Sequence, residues 1–224
     1  SSSSIQMGIP MARIELLDAA TAQSFNAYSG ADFPEKPHLM LEFHGSDSAV
    51  AEDARRFGEV AAEFGATGFQ RAERAEDRNR LWSMRHQATY AIKALRPGAD
   101  ILVTDICVPI SELARAVDET AADISAASIL GPILGHVGDG NFHALLLVDP
   151  NTPEELEEAK RISDRMVERS LKLGGTATGE HGVGFGKLDF MEREHGPAWA
   201  IMGDLKKALD PQNILNPGKV VRVN

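Results

Sequence analysis

The sequence predicts an α+β domain in which a mainly antiparallel sheet has helices packed on one face. Three observations support this class. Short apolar runs typical of strands alternate with longer stretches typical of helices. An Asp-Gly pair at positions 139–140, flanked by apolar residues, is a strong hairpin signal and therefore indicates antiparallel pairing. The length of 224 residues is sufficient to bury a sizeable core.

Strands and helices are expected in alternation along the chain. After the hairpin, whose second arm continues through 144–148, a helix starts near Pro153 with an acidic first turn, and Gly174-Gly175 ends it. Two shorter helices and a turn at 216–219 complete the chain. We expect residues 13–224 to form one domain. Residues 1–12 are expected to be an unstructured end or a cloning remnant. Before the hairpin we predict strands over 38–44, 67–71 and 101–108, followed by helices over 46–64, 76–95 and 111–126, the last capped by Ser111.

Two histidines flank the predicted hairpin turn. A type I′ turn centred on residues 139–140 places His136 directly opposite His143, and opposed residues share a sheet face with Cβ atoms about 5 Å apart. Two imidazoles at that separation can bind one divalent metal ion. Period-two alternation puts Asn141 on the same face. The alternative is a pair of surface histidines, but three glycines around the pair leave room for a ligand and favour the metal site.

A second glycine-rich stretch, residues 174–187, carries a carboxylate and an imidazole side by side. Its six glycines disfavour both a helix and a plain strand, and are typical of backbone that approaches something closely. Two histidines and a carboxylate with an open coordination position form a known catalytic metal arrangement. Glu180 as the third ligand would leave His181 free for acid–base chemistry. The alternative is that both are ordinary loop residues.

Charge and composition exclude several classes of function. The net charge is −10, and no basic stripe compensates for it, so nucleic acid is not expected as a partner. A single cysteine excludes a disulfide framework and indicates a reducing compartment. No apolar stretch is long enough to span a bilayer. We therefore expect a cytoplasmic or organelle-matrix location, and peripheral membrane association stays open.

Several short motifs carry a resemblance to a known family. They lie at residues 41–45, 81–86, 96–98, 104–111, 135–143, 179–184 and 209–219. In these stretches the chain resembles the C-terminal, substrate-binding cap domain of FAD-linked oxidases of the vanillyl-alcohol-oxidase type. Within that family it is most similar to the cytochrome-linked D-lactate dehydrogenases. The resemblance covers the chain from about Arg13 to the end.

The resemblance implies a role for each candidate residue. The family binds FAD mainly on a separate N-terminal domain, which this chain is expected to lack because nothing in it resembles a dinucleotide fingerprint. Trp82 and Thr89 are weaker candidates for lining the substrate pocket, and Asn216 corresponds to the residue that approaches the flavin. The resemblance makes His136, His143 and Glu180 the ligands of zinc, manganese or iron, His181 the catalytic base, and Arg85 and Asn141 the substrate-binding residues.

The expected activity is oxidation of D-lactate, or a similar D-2-hydroxy acid, to the 2-oxo acid with hydride transfer to FAD. Glycolate and D-2-hydroxyglutarate are alternative substrates; the second would need another cation, for which Lys93 is the nearest candidate. A metal-dependent hydrolase and a non-catalytic metal-binding subunit are alternatives from other classes. The expected partners are the FAD-binding domain, an unidentified electron acceptor and a second copy in a homodimer.

Overall fold

The computed structural model describes residues 2–223 as an antiparallel sheet surrounded by helices. The strands are β1 (Arg13–Leu17), β2 (His38–Glu42), β3 (Asp100–Val103), β4 (Ile106–Cys107), β5 (Ile133–Gly135) and β6 (Asn141–Val148). The helices are α1 (Ser2–Gln6), α2 (Ala19–Ser29), α3 (Asp47–Glu63), α4 (Ala75–Ala94), α5 (Leu113–Ser125), α6 (Pro153–Lys172), α7 (Leu188–His195) and α8 (Ala198–Leu209).

The sheet is built around β6. Its order is β2-β1-β5-β6-β3, with β4 also paired to β6, and each of these pairings is antiparallel. The α+β class and the antiparallel sheet are therefore confirmed. All eight residues of β6 are buried, which is expected of a strand covered on both faces.

Helices cover both faces of the sheet, and in this respect the structure differs from the prediction of helices on one face. On one face, Phe142 and Leu146 of β6 belong to the same core cluster as Met166 of α6. On the other face, Leu147 of β6 packs in a second cluster that includes Ile92 of α4. The continuous apolar run of β6 is the physical reason, because a strand with one solvated face would alternate apolar and polar residues.

Three local predictions also differ from the structure. Residues 67–71 form no strand and lie in the connection between α3 and α4. The predicted strand 101–108 is divided into β3 and β4, and the break falls at Thr104 and Asp105, whose groups bind other segments. Ser111 lies in a short 3-10 turn and does not cap α5. By contrast, α6 ends just before Gly174, which adopts the left-handed conformation, as predicted.

The N-terminal end is ordered over the residues that the structure describes, whereas an unstructured end was expected for residues 1–12. Residues 2–6 form α1, and Ile9 is 4% exposed because it packs against Phe57 and Val60 of α3. Ser1 lies outside the described residues. Across residues 2–223, none of the helices combines the length and the apolar character needed to cross a membrane.

Candidate active site and metal centre

The hairpin that carries the two histidines forms, but in a different register from the one predicted. His143 pairs with Leu134 of β5 and not with His136, which lies in the connection beyond the strand. The turn is longer than two residues, and within it Gly140 has positive φ whereas Asp139 does not, so it is not type I′. The register differs by two residues, which leaves His136 on the side of the sheet predicted for it. The rings of His136 and His143 are perpendicular, with centroids 6.2 Å apart.

The environment of His143 fixes which ring nitrogen carries its proton. Nδ1 lies 3.0 Å from the carbonyl oxygen of Thr104, which can only accept, so Nδ1–H donates and Nε2 keeps its lone pair. Burial lowers the pKa of His143, and this effect outweighs the hydrogen bond to Thr104, which raises it. The neutral ring therefore presents an acceptor atom to the site. A metal-binding histidine usually donates its other ring N–H to a carbonyl or a carboxylate in this way.

Glu180 brings a third acceptor atom to the same point. Its Oε1 lies 3.0 Å from His143 Nε2 and 3.5 Å from His136 Nε2, and one ligand atom from each residue falls within 4.8 Å of the others. Neighbouring ligands of a tetrahedral zinc ion at about 2 Å would be separated by about 3.3 Å. Two imidazole nitrogens and a carboxylate oxygen that converge in this way can hold a cation between them. The donor set therefore suits a divalent metal.

The glycine-rich stretch, residues 174–187, is held in place by Asp105, which sequence reasoning missed. The Asp105 carboxylate accepts hydrogen bonds from the backbone N–H groups of Gly179, Glu180 and His181. Its side chain is 1% exposed. Burial raises its pKa, but the bond from His181 and those from neighbouring side chains, with the charge of Lys187, outweigh burial and hold the pKa of Asp105 well below its usual range. An acidic residue inside an apolar run was the available signal.

Asn141 is a second anchor of this stretch. Its Nδ2 donates to Asp105 Oδ1 at 2.8 Å and to the Ile106 carbonyl at 2.9 Å. The side chain is buried, and within residues 2–223 no partner donates to its Oδ1. The structure thus places Asn141 behind Glu180. Its substrate-binding role stays a prediction. In that role Oδ1, which has no donor among the described residues, would accept a hydrogen bond from the substrate.

His181 lies beside the three acceptors. Its ring stacks on His143, with centroids 4.8 Å apart and planes 10° apart, and its Nε2 is 3.7 Å from Glu180 Oε1. In contrast to His143, its side chain is 45% exposed. The predicted base therefore adjoins the candidate metal centre and is open to a ligand.

Arg85 of α4 contacts the same group of residues. Its Nε donates to Glu15 Oε2 at 2.9 Å, and its Nη2 lies 3.3 Å from His136 Nε2. Its ion-pair partner is thus Glu15 of β1 and not Glu76 or Asp77, the acidic residues in the first turn of its own helix. Glu15 was missed because neither β1 nor α2 was predicted. A lone carboxylate inside the apolar run of β1 was the signal that could have revealed it.

The weaker pocket candidates separate in the structure. Trp82 lines a cavity of about 680 Å³, together with Glu15, Arg85 and His136. Thr89 is exposed on α4 and is not among the residues that line this cavity. Lys93, the extra cation considered for a second substrate carboxylate, is also exposed and does not line it.

Asn216 lies in an exposed turn with φ of 48°. This turn adjoins the glycine-rich stretch, because the Val220 N–H donates to the Gly184 carbonyl at 3.1 Å and Gly218 packs against the Phe185 ring. The structure thus brings Asn216 to the surface near the candidate centre. Its contact with a flavin stays a prediction. Among the described elements there is no glycine-rich strand–turn–helix that would hold a dinucleotide.

Comparison with known proteins places these features in a family. The family described as "FAD linked oxidases, C-terminal domain" matches residues 1–220. The chain is 44% identical over 220 residues to "Probable D-lactate dehydrogenase, mitochondrial" of Danio rerio, covering 98% of this chain and 44% of that protein. It is 39% identical to "D-lactate dehydrogenase [cytochrome], mitochondrial" of Arabidopsis thaliana, with 96% and 38% covered. It is 33% identical to "Glycolate oxidase subunit GlcD" of Bacillus subtilis, with 93% and 45% covered.

Solved structures support the same fold. The 4-ethylphenol oxidase from Gulosibacter chungangensis aligns with a TM-score of 0.69 at 13% identity, covering 94% of this chain and 47% of that one. p-Cresol methylhydroxylase aligns with a TM-score of 0.58 at 14% identity, with 94% and 47% covered. The chain spans less than half the length of each of these relatives. It belongs to the FAD-linked oxidase family and corresponds to the C-terminal domain of that family.

Proposed function

We propose that this chain is the substrate- and metal-binding part of an FAD-dependent D-2-hydroxy-acid dehydrogenase that oxidises D-lactate to the 2-oxo acid. The observation that carries the proposal is the convergence of one ligand atom each from His136, His143 and Glu180, all within 4.8 Å of one another. A guanidinium, from Arg85, and an exposed imidazole, from His181, lie beside them. A 2-hydroxy acid offers a complementary carboxylate and hydroxyl.

A divalent metal ion and FAD would supply chemistry that side chains lack. His136, His143 and Glu180 would hold a zinc, manganese or iron ion, which when bound supplies Lewis acidity toward the substrate hydroxyl. FAD when bound supplies the hydride acceptor. Asn216 is the residue of this chain proposed to approach the flavin. The rest of the FAD site is assigned to the N-terminal domain of the family.

The residues of this chain would bind and orient the substrate and accept its proton. Among the described residues Arg85 uses its Nε and one Nη2 hydrogen, so donors remain on the outer edge of the guanidinium for a substrate carboxylate. His181 would take the hydroxyl proton on a ring nitrogen, a contribution of about 10²–10⁴ in rate. A hydride would leave the carbon that bears this hydroxyl, so that the substrate loses two electrons and two hydrogens in total. Trp82 would form an apolar wall.

The relatives favour D-lactate as the substrate. The two relatives with the higher identities quoted above are named D-lactate dehydrogenases, at 44% and 39%. Glycolate is the second candidate because a relative at 33% identity is a glycolate oxidase subunit. The word "mitochondrial" in two of these names supports the organelle part of the expected location. The homodimer and the electron acceptor stay predictions.

Metal analysis tests the centre directly. We expect the purified chain to bind close to one equivalent of zinc, manganese or iron, and a His136→Ala/His143→Ala variant to lose it. A His38→Ala/His44→Ala variant is the matched control, because those histidines contact Pro34 and Glu42 away from the centre. Full metal retention in the first variant would refute the ligand assignment. Loss in the control as well would point to general unfolding.

Substrate specificity tests the activity. In the complete flavoprotein, kcat/KM is expected to be highest for D-lactate, lower for glycolate and much lower for L-lactate. Arg85→Ala should raise KM and lower kcat for 2-hydroxy acids, because binding and orientation both depend on the guanidinium. Unchanged kinetics in that variant would remove Arg85 from the site. Equal rates with both lactate enantiomers would contradict a site that fixes the stereocentre.

A further inference from the structure

We infer that Glu15 is a positioning residue that holds the metal ligand His136 and the substrate-binding Arg85 in register with each other. This inference rests on the proposed function for the roles of those two residues. Glu15 is the central residue of β1, and its side chain is 5% exposed. One carboxylate oxygen lies 2.5 Å from His136 Nδ1, and the other accepts from Arg85 Nε at 2.9 Å. A single buried carboxylate thus joins two functional groups.

The contacts of His136 determine its tautomer. A carboxylate can only accept hydrogen bonds, so the Glu15 contact requires a proton on Nδ1. A guanidinium can only donate, so the Arg85 Nη2 contact at 3.3 Å requires a lone pair on Nε2. Both neighbours select the same form of the ring. Because Nε2 is the atom turned to Glu180, Glu15 keeps the metal-binding nitrogen of His136 unprotonated.

The same carboxylate fixes the direction of Arg85. Its bond to Nε holds the guanidinium in the orientation in which Nη2 meets His136 Nε2. His136 Nε2 has one lone pair, so Arg85 and a metal ion would compete for it. Occupation by a metal would release the Nη2 donor for a substrate carboxylate, while Glu15 still holds Nε. The two binding steps are therefore coupled at His136 Nε2, and Glu15 holds both residues at this contact.

An amide could not replace this carboxylate. In Glu15→Gln one of the two acceptors becomes a donor, which would face either the Nδ1–H of His136 or the Nε–H of Arg85. The charge that balances Arg85 is also lost. Carboxylates that accept a hydrogen bond from a metal-binding histidine typically contribute about 10–100-fold to metal affinity. Glu15→Asp keeps the charge and both acceptors on a shorter side chain, so it should recover part of the effect.

Zinc affinity of the chain is the first test. We expect Glu15→Gln to weaken zinc binding about 10–100-fold in calorimetric titration, and Glu15→Asp to fall between it and wild type. Glu155→Gln is the matched control, since it breaks another half-buried arginine pair, with Arg96, away from the centre. Arg85→Gln should strengthen zinc binding, because it removes a cation and a competitor for Nε2. Glu15→Gln with the affinity of Glu155→Gln would overturn the inference.

A second measurement separates this inference from the proposed function. Two-bond ¹H–¹⁵N NMR of the zinc-free chain reports which nitrogen of His136 is protonated. The measurement on wild type needs no metal, and Glu15→Gln provides the comparison. We expect Nδ1–H in wild type and a mixture of tautomers in Glu15→Gln. A wild-type His136 protonated at Nε2 would overturn the inference even if zinc binds. Nδ1–H in a chain that binds no zinc would support the positioning role and refute the metal part of the proposed function.

Discussion

The ring of His181 stacks on the ring of His143, with centroids 4.8 Å and planes 10° apart. The two rings have different surroundings, because His143 is buried and donates through Nδ1 to Thr104 whereas His181 is half exposed. Stacking gives His181 a fixed plane without using its nitrogens. The buried ring thereby orients an accessible imidazole, which is the division of roles that the proposed proton abstraction next to a metal requires.

Replacing His181 should separate proton transfer from metal binding. In the complete flavoprotein we expect His181→Gln to lower kcat for D-lactate by about 10²–10⁴, because His181 is the exposed imidazole proposed to accept the hydroxyl proton. Zinc affinity should stay close to wild type, since His181 is not one of the three converging acceptors. His195→Gln, on α7, is the control for a histidine outside the centre. A His181 variant with normal kcat would exclude it as the base.

Replacing Asp105 should detach the glycine-rich stretch. Asp105→Asn keeps the shape but loses the charge that accepts from Gly179, Glu180 and His181. We expect a loss of about 3 kcal/mol in the free energy of unfolding, as for the breaking of a buried charged network. Weaker zinc binding should accompany it because Glu180 is no longer held. Urea unfolding of the zinc-free chain measures the first effect.

The effect of Asp105→Asn should depend on pH in a defined direction. The pKa of Asp105 is lowered in the folded chain, so the ionised carboxylate stabilises the fold. This contribution is complete above the unfolded pKa of about 3.9 and is lost as pH falls toward the lowered folded value. The difference in unfolding free energy between wild type and variant should therefore be constant from pH 7 to 5 and shrink below about pH 4. A difference that grows on acidification would contradict the assignment.

Two glycines of the glycine-rich stretch should respond differently to substitution by alanine. A Cβ at Gly179 would overlap Asn141 Nδ2 and lie 2.8 Å from Asp105 Oδ1, whereas a Cβ at Gly186 meets nothing within 4 Å. We expect Gly179→Ala to cost about 1–3 kcal/mol and to weaken zinc binding, because the Asn141–Asp105 pair must move. Gly186→Ala should leave both quantities unchanged. Thermal unfolding and zinc titration of the two variants provide the comparison.

The sequence predicted that His136 and His143 lie on the same side of the sheet, and this holds although the predicted register was wrong. The hairpin slipped by two residues relative to the prediction, and a shift of two preserves the face of every side chain, whereas a shift of one would reverse it. The register itself depends on tertiary partners that the local sequence does not show. A Cβ at Gly135 would overlap Phe142, and the Gly138 N–H donates to the carbonyl of Ile14 on β1. A local turn rule cannot include such contacts.

Glu15 and Asp105 escaped prediction for a different reason. Both are single carboxylates within apolar runs, and their importance comes from partners far along the chain: His136 for Glu15, and the backbone of residues 179–181 for Asp105. Glycine-rich stretches and paired histidines are local signals. A buried carboxylate can be recognised only when the strand that carries it has been predicted. Because β1 was not predicted, Glu15 could not be recognised. The candidate ligands could thus be proposed from the sequence, whereas the residues that hold them in place could not.

The finding that helices cover both sheet faces can be tested on adjacent residues of β6. Leu146 and Leu147 are both fully buried, but they point to opposite faces and belong to different core clusters. If both faces are covered, Leu146→Ala and Leu147→Ala should each cost about 2–5 kcal/mol, because each leaves a cavity in a packed core. If helices covered one face alone, one of the two substitutions would be nearly neutral. Leu205→Ala, at an exposed position on α8, should change the unfolding free energy by less than about 0.5 kcal/mol and serves as the control in the same urea titrations.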